Sequence, residues 1–284
     1  MDIGYNSEYG RLKSVALHFP REKELKMMSA KESMYVKAPD YKKVLKEFQQ
    51  YVELLWKLDI DVYTDSEMPE EDIISCPNSI YMRDIAGIMS DAIILGNPKY
   101  DVRKPEKNNF KKFLEYHNYA GNLIDTDSEF EGADMFWTKH NEVTLSVGNR
   151  TSLKSFDHLK QMYSRKGIKF RIVPAAEEGI PQHLLGAKHI VSKDTLISRA
   201  SINPSSLGFK NVIELEETPE VIYGYAMNVV TVGPNEIIMP EGNPETMALF
   251  EDNNIICHTT PMYEICKMAG GPACMTLPLK RKTV

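Results

Sequence analysis

Five short apolar segments, each led by a turn or polar residue, constrain the fold of this chain more than any other feature. Segments of this kind are typical of short β-strands. The second, third and fourth segments start about every 50 residues, a period typical of a repeated structural unit. The second, third and fifth units share a Gly-Asn pair at or just after the segment's end, at Gly96, Gly148 and Gly242. The segments lie at 13–20, 91–98, 141–149, 194–199 and 235–240. The pattern predicts five similar modules rather than two unrelated domains.

Helical patterns separate these segments. Apolar residues recur at helical spacing in 41–58, 154–166 and 244–253, and a further strand pattern follows each of them. The predicted unit is therefore strand, helix, strand, with further short strands, in an α/β protein. Since no linker rich in Gly, Ser or Pro divides the chain, residues 1–284 are predicted to form a single domain. The polar stretch 100–112 and the acidic run 67–72 are predicted to be solvated loops.

The overall charge and apolar pattern exclude several classes of partner. The net charge is −6 with mixed signs, which argues against nucleic acid or an anionic membrane as the main partner. No apolar run approaches the ~20 residues of a membrane span, and the first residues lack the pattern of a secretion signal. Four cysteines at uneven spacings do not form a disulfide framework. We therefore expect a cytoplasmic protein.

One cysteine follows a glycine-rich turn near the end of the chain. Gly270, Gly271 and a proline precede Cys274, and glycine can adopt backbone angles closed to other residues. A thiol presented by such a turn can act as a nucleophile if a base is near. Free cysteine is also among the most buried residue types, so a buried, unreactive Cys274 is an equal reading of the spacing.

Two acidic motifs each precede an apolar segment. Asp84 stands before the apolar run at 85–88, where burial requires a partner, so it either pairs locally with Arg83 or binds a cation. Glu131 and Asp134 lie three apart across Gly-Ala. Such carboxylates can hold a cationic substrate or orient a histidine, and a plain polar turn is the alternative.

A histidine stands in the otherwise apolar segment 180–186. His183 is either a catalytic acid or base, or a hydrogen-bonded core residue. Cys257, His258, Cys266 and Cys274 are mostly eight or nine residues apart, whereas structural zinc sites prefer closer ligand pairs, so we expect no metal site. Neither a phosphate-binding loop nor a dinucleotide fingerprint is present, and no cofactor is expected.

The order of these motifs resembles the guanidino-group-modifying enzymes of the pentein superfamily, which includes arginine deiminases, dimethylarginine dimethylaminohydrolases and amidinotransferases. The resemblance spans nearly the whole chain. It implies a five-module α/β propeller, the pentein fold, with pseudo-fivefold ββαβ repeats. The matching segments are 7–20, Pro77-Asn-Ser-Ile-Tyr-Met-Arg-Asp84, Glu131-Gly-Ala-Asp134, Gly148-Asn-Arg-Thr151, Gln182-His-Leu-Leu185 and 270–278.

The resemblance also implies catalytic roles. Cys274 would attack the guanidinium carbon to form an S-alkylthiouronium intermediate. His183 would protonate the departing amine and then deprotonate the resolving water. Asp84 and Glu131 would surround the guanidinium.

The remaining implied roles concern substrate binding. Asp134 would support Glu131 or His183 from behind. Arg150, with Asn78, would bind the carboxylate of the substrate. The implied partner is a small guanidino compound, arginine or an analogue, and association into a homo-oligomer stays open.

Three positions depart from the pattern that the resemblance implies. Arginine deiminases carry an acid where this chain has Leu185 and an arginine where it has Ala269. Dimethylarginine dimethylaminohydrolases carry an acid where it has Arg83. A hydrolase nearest to the arginine deiminases is the first expectation. A dimethylarginine hydrolase, an amidinotransferase and a non-catalytic guanidino-binding protein are the alternatives.

Overall fold

Five three-stranded sheets form the framework of the described chain. The structure is a computed structural model, and it describes residues 1–175, 183–199 and 207–284. In every sheet the middle strand pairs antiparallel with one neighbour and parallel with the other. The strands are β1 Leu12–Leu17, β2 Asp61–Thr64, β3 Ala86–Met89, β4 Ala92–Leu95, β5 Asn122–Asp125, β6 Met135–Lys139, β7 Glu142–Val147, β8 Lys169–Pro174, β9 Lys188–Ile190, β10 Thr195–Arg199, β11 Asn211–Leu215, β12 Val230–Gly233, β13 Glu236–Pro240, β14 Ile256–Thr260 and β15 Leu277–Arg281.

The order of the strands repeats along the chain. Four sheets are built from consecutive strands, β3-β4-β5, β6-β7-β8, β9-β10-β11 and β12-β13-β14. The other sheet has the order β15-β1-β2, so the last strand of the chain pairs with the first. The middle strands β1, β4, β7, β10 and β13 are the five segments that the apolar pattern predicts, and that prediction is confirmed.

Helices connect the middle strand of a sheet to its parallel neighbour, because parallel strands require a crossover. Four helices make such connections, namely α2 Tyr41–Lys57, α3 Glu106–Tyr116, α4 Leu153–Ser164 and α6 Pro244–Asp252. The three helices predicted from the sequence are observed within two residues of their expected ends. The helices are α1 Glu22–Lys26, α2 Tyr41–Lys57, α3 Glu106–Tyr116, α4 Leu153–Ser164, α5 Pro219–Ile222, α6 Pro244–Asp252 and α7 Pro272–Met275.

The prediction of a solvated loop at 100–112 is wrong. The helix α3 begins inside this stretch, and Phe110, Phe113 and Leu114 on one of its faces are buried. Two charged residues are also buried, Arg103 just before the helix and Glu106 at its first position. Their burial is tolerated because the two side chains form an ion pair with each other. These two charged residues of the segment therefore face the interior, whereas Asp101 and Lys104 are exposed.

The core lies between the sheets and their crossover helices. All four residues of β4 are buried, as expected for a middle strand covered on both faces. In α2, Val44, Phe48, Tyr51 and Leu55 form a buried stripe. Each such side chain contributes about 1.5–3 kcal/mol on full burial. Among the described residues, no helix combines the length and apolar character that crossing a membrane requires.

Candidate active site

Each sheet contributes at least one polar side chain immediately before its antiparallel outer strand. Asp84, His183, Asn228 and Cys274 precede four of these strands and line one cavity of about 490 Å³. Glu131 and Asp134 precede the fifth strand and lie buried behind this cavity. The repeated modules therefore bring distant parts of the sequence together.

Cys274 lies in the short helix α7, which begins with a proline at its first turn. The side-chain amide of Asn228 donates to Cys274 Sγ at 3.1 Å, and its Oδ1 accepts from the backbone N–H of Ala273 at 2.8 Å. A Cβ on Gly271 would lie 2.9 Å from Asn228 Oδ1, and a Cβ on Gly270 would lie 2.5 Å from a ring carbon of Tyr81. The glycines are therefore needed for close approach.

The backbone angles around the thiol differ from the sequence-based expectation. Neither Gly270 nor Gly271 has a positive φ, and the left-handed residue is Ala269, at φ 70°. Ala269 ends the short 3₁₀ turn Cys266–Met268, and its methyl group is small enough for this conformation. The sharp turn therefore lies one residue earlier than the glycines suggest.

The thiol is protonated at neutral pH before a ligand binds. Burial, and then the charge of Asp84, raise the pKa of Cys274 to about 11. The hydrogen bond from Asn228 and the charge of Arg103 act in the opposite direction. A cation bound beside Asp84 would offset its charge and favour the thiolate.

His183 lies between two carboxylates. Its Nε2 donates to Glu131 Oε2 at 2.6 Å, and its Nδ1 is 3.7 Å from Asp84 Oδ1. Burial lowers the pKa of His183, but Asp84 and the hydrogen bond to Glu131 outweigh this and raise it to about 9. Burial raises the pKa of Glu131, but the hydrogen bond and charge of His183, with the charges of Arg103 and Arg150, outweigh this and lower the pKa to about 2. At neutral pH the pair is imidazolium and carboxylate, so His183 already carries the proton that a general acid donates.

Asp134 holds the backbone beside His183. Its Oδ1 accepts from the backbone N–H of Leu184 at 3.1 Å, and its Oδ2 accepts from Thr151 Oγ1 at 2.8 Å. Burial raises the pKa of Asp134 to about 6, against the charge of His183. This carboxylate is a positioning group rather than a group that faces the cavity.

Arg103 is a site residue that the sequence reasoning missed. Its Nη1 donates to Asp84 Oδ2 at 2.7 Å, and its Nε and Nη2 donate to Glu106 at 2.9 and 2.8 Å. The same Nη1 is 3.7 Å from Glu131 Oε2. Arg103 therefore links the carboxylates of the site, and it leaves Asp84 Oδ1 without a hydrogen-bond partner among the described residues.

Three predicted residues are placed differently from the expectation. The Glu131 side chain is fully buried beneath His183 and so orients the imidazole instead of facing the cavity. Arg150 donates to both carboxylate oxygens of Glu131, at 3.3 and 3.4 Å, and stacks on Tyr100, so its guanidinium is engaged behind the site. Asn78 lines the cavity, but its amide donates to the Ser33 carbonyl at 2.9 Å.

The local Arg83–Asp84 ion pair, considered as an alternative for this motif, does not form. Arg83 donates to the carbonyl of Met135 at 2.9 Å and Asp84 pairs with Arg103 instead. The two side chains of the motif therefore have different partners, although both line the active-site cavity.

The carboxylates and the imidazole form a cation-sized group. The ligand atoms of Asp84, Glu131 and His183 lie within 4.8 Å of one another, a spacing that a metal ion can also use. Arg103, Arg150 and the imidazolium already supply positive charge here. The donor set is therefore better suited to a planar organic cation than to a bare divalent ion.

Comparison with known proteins agrees with this geometry. The family model for arginine deiminase matches residues 65–184 and 206–281, more than half of the chain. The chain belongs to the arginine deiminase family. It is thus a member of the pentein superfamily of guanidino-group-modifying enzymes, as the motif order suggests. The arginine deiminase of Streptococcus pneumoniae is 20% identical over 273 residues, which cover 80% of this chain and 66% of that enzyme. This chain therefore corresponds to just under two thirds of that relative.

Solved structures show the same fold in enzymes of different activity. Dimethylarginine dimethylaminohydrolase from Pseudomonas aeruginosa superimposes with a TM-score of 0.77 at 19% identity, covering 94% of this chain and 99% of that one. Inosamine-phosphate amidinotransferase from Streptomyces griseus superimposes with a TM-score of 0.75 at 15% identity, covering 98% and 97%. The fold is therefore shared across hydrolases and transferases.

Proposed function

We propose that this protein hydrolyses a small guanidino compound through a covalent intermediate on Cys274, with arginine deiminase chemistry as the nearest precedent. The observation that carries the proposal is Asp84 Oδ1, a buried carboxylate oxygen without a hydrogen-bond partner among the described residues. It belongs to a residue that lines the same cavity as Cys274 and His183. A guanidinium N–H is a suitable donor for such an oxygen.

The first half of the proposed reaction forms the covalent intermediate. When the substrate cation binds, the Cys274 thiol releases its proton to solvent, and the thiolate forms a C–S bond to the guanidinium carbon. The resulting tetrahedral adduct then loses one C–N bond. His183 gives its proton to the departing nitrogen, which leaves as ammonia or an amine. The raised pKa of His183 suits this role because the imidazolium is the form present before reaction.

The second half returns the enzyme to its starting state. Water adds to the thiouronium carbon while His183, now neutral, accepts a proton from it. The C–S bond then breaks, the hydroxyl proton of the adduct passes to the leaving sulfur, and the ureido product and the Cys274 thiol are released. The proton that the thiol releases to solvent is balanced by protonation of the departing ammonia or amine, so nitrogens, protons and electron pairs balance over substrate, water, thiol, imidazole and solvent.

Substrate binding is proposed to help generate the nucleophile. Because Asp84 contributes to the high pKa of Cys274, a guanidinium bound to Asp84 would lower that pKa and make the thiolate accessible. The free enzyme would then be protected against general alkylation. Reactivity would appear only when the correct cation is bound.

We further propose that the five sheets are arranged as a closed five-module propeller. The pairing of β15 with β1 supports closure because it joins the first and last modules in one sheet. The convergence of polar residues from the ends of the strands on one cavity also fits a ring of modules around an axis.

Two cavity residues favour a substrate other than free arginine. Leu185 and Ala269 line the cavity at the positions where the resemblance implies an acid and an arginine. With Leu185 in place of the acid, a bound guanidinium has one carboxylate partner fewer. With Ala269 in place of the arginine, a substrate carboxylate has one cationic partner fewer. A substituted guanidine, a shorter guanidino acid or amidino transfer is therefore the second candidate.

Product analysis by mass spectrometry tests the proposal. The purified protein is incubated with arginine, methylarginines and short guanidino acids, with and without glycine or ornithine as acceptors. A ureido product supports hydrolysis, and a transferred amidino group supports the transferase alternative. Binding of arginine without any product would favour a non-catalytic binding protein. The Cys274→Ala variant is the matched control for every substrate.

A further inference from the structure

A second, smaller cavity of about 30 Å³ lies directly behind the active site. Arg83, Leu185 and Ala273 line both cavities, so the two cavities adjoin at these side chains. Arg281 and His189 also line the small cavity. A volume of this size holds about two waters or one small ion, since one water needs roughly 10–15 Å³ on this measure.

The two arginines of this small cavity are buried cations held by uncharged acceptors. Arg83 and Arg281 are 2% and 3% exposed. Arg83 donates to the Tyr5 hydroxyl and a backbone carbonyl, and Arg281 donates to the carbonyls of Gly10 and Thr231 at 3.0 and 2.7 Å. In the part of the chain that the structure describes, neither arginine forms an ion pair with a carboxylate. Buried charges are normally paired directly, whereas these two interact with a carboxylate, Glu8, only at longer range.

One carboxylate faces the two guanidinium groups. Glu8 lines the small cavity, and its Oε1 accepts from the backbone N–H of Trp137 at 3.0 Å. Asp84, next to Arg83 in the sequence, is engaged by Arg103 on the active-site side. The small cavity therefore carries one formal negative charge against two positive charges.

Two buried nitrogen atoms of the cavity residues have no hydrogen-bond partner among the described residues. They are Arg281 Nε and His189 Nε2. Burial lowers the pKa of His189 to about 4, against hydrogen bonds to the backbone of Leu185 and Met227, so the ring is neutral at pH 7 with a single N–H, which can be on Nε2. Both atoms can then donate to an occupant of the cavity.

We propose that the small cavity binds a monovalent inorganic anion of the chloride class. Arg281 Nε and His189 Nε2 donate to the anion, and its charge balances the second guanidinium. A halide ion fits the volume, accepts from N–H donors and needs no donor of its own. Two waters would satisfy the hydrogen bonds but would leave the excess positive charge uncompensated.

Halide-dependent stability of the purified protein provides the first test. The thermal midpoint is measured in sodium chloride, sodium bromide and sodium gluconate at equal ionic strength. We expect the midpoint to rise with halide concentration, and to saturate roughly 3–6 °C above its value in gluconate. The Arg281→Met variant should lose this dependence, whereas Arg165→Met, which removes an exposed arginine, should keep it. A midpoint that does not respond to halide, or a response retained in Arg281→Met, overturns the proposal.

A crystal of the wild-type protein soaked in sodium bromide provides a test that does not depend on a variant folding. We expect an anomalous peak within hydrogen-bond distance of Arg281 Nε and His189 Nε2. Density that refines as water there, without an anomalous signal, overturns the proposal. Neither experiment depends on enzymatic activity, so this inference and the proposed reaction can fail independently.

Discussion

Replacing Asp84 by asparagine should make Cys274 more reactive while making the enzyme less active. The side chains have nearly the same shape, so the substitution removes a charge with little change in packing. Asp84 raises the pKa of the thiol, second only to burial, and Arg103 lowers it. Removing the carboxylate leaves the arginine unopposed on this side of the thiol, so both changes favour the thiolate.

The expected size follows from the charges around the thiol. A neighbouring charge shifts a pKa by about 1–3 units, and one unit is a factor of ten in thiolate at a pH below the pKa. Because burial of Cys274 is unchanged, we expect about one unit and an alkylation rate about tenfold higher near pH 8. Loss of the charged hydrogen bond to the guanidinium, about 1.5–3 kcal/mol, should lower kcat/KM by roughly 10- to 100-fold or more.

The assay is the rate of iodoacetamide labelling of the peptide that contains Cys274, as a function of pH. Cys274→Ser measures labelling of the other cysteines. Asn228→Ala removes the hydrogen bond to the thiol and should slow labelling by about tenfold, opposite in sign to Asp84→Asn. Unchanged or slower labelling in Asp84→Asn would refute the electrostatic account of the thiol.

Three further predictions concern the buried charges. Activity of the wild type should fall as the pH rises through about 9, because His183 then loses its proton. His183→Asn should lower kcat by about 10²–10⁴-fold. A pH profile that stays flat through this range would exclude His183 as the general acid. Burial lowers the pKa of His18, but the buried carboxylates of Asp65 and Glu24 outweigh this and raise it to about 10. His18→Gln should therefore lower the unfolding free energy by about 3 kcal/mol near pH 6. That cost should disappear as the pH of urea titrations rises through about 10, because folded His18 then becomes neutral. Arg103→Met should lower the unfolding free energy by roughly 3–5 kcal/mol, because it leaves buried carboxylates such as Glu106 unpaired, while the exposed Arg165→Met should change it by less than ~0.5 kcal/mol.

The fold was accessible from the sequence because its middle strands are buried on both faces. Such strands appear as short continuous apolar runs, and β4 and β7 are examples. The outer strands are less distinct: β5, for example, is mostly exposed. Pairing of β15 with β1 could not be inferred from periodicity, because it joins opposite ends of the chain.

The site residues were accessible only where a motif marked them. Asp84 and Glu131 were recognised because a carboxylate before an apolar segment requires a partner. The same reasoning applied to Asn228, which precedes the apolar run at 229–232, would have found the residue that contacts the thiol. Arg103 lies in a polar stretch that resembles a solvated loop, and only its pairing with Asp84 and Glu106 explains its burial.

The central claim is that Cys274 forms a covalent adduct with the guanidinium carbon. The most direct measurement is the mass of the intact protein after acid quenching during turnover of the best substrate. We predict that the protein gains the mass of the substrate less the departing ammonia or amine, and that digestion locates this adduct on the peptide that contains Cys274. The adduct should be absent in Cys274→Ser, which should also be inactive. Turnover without an adduct, together with activity retained in Cys274→Ser, would contradict the account.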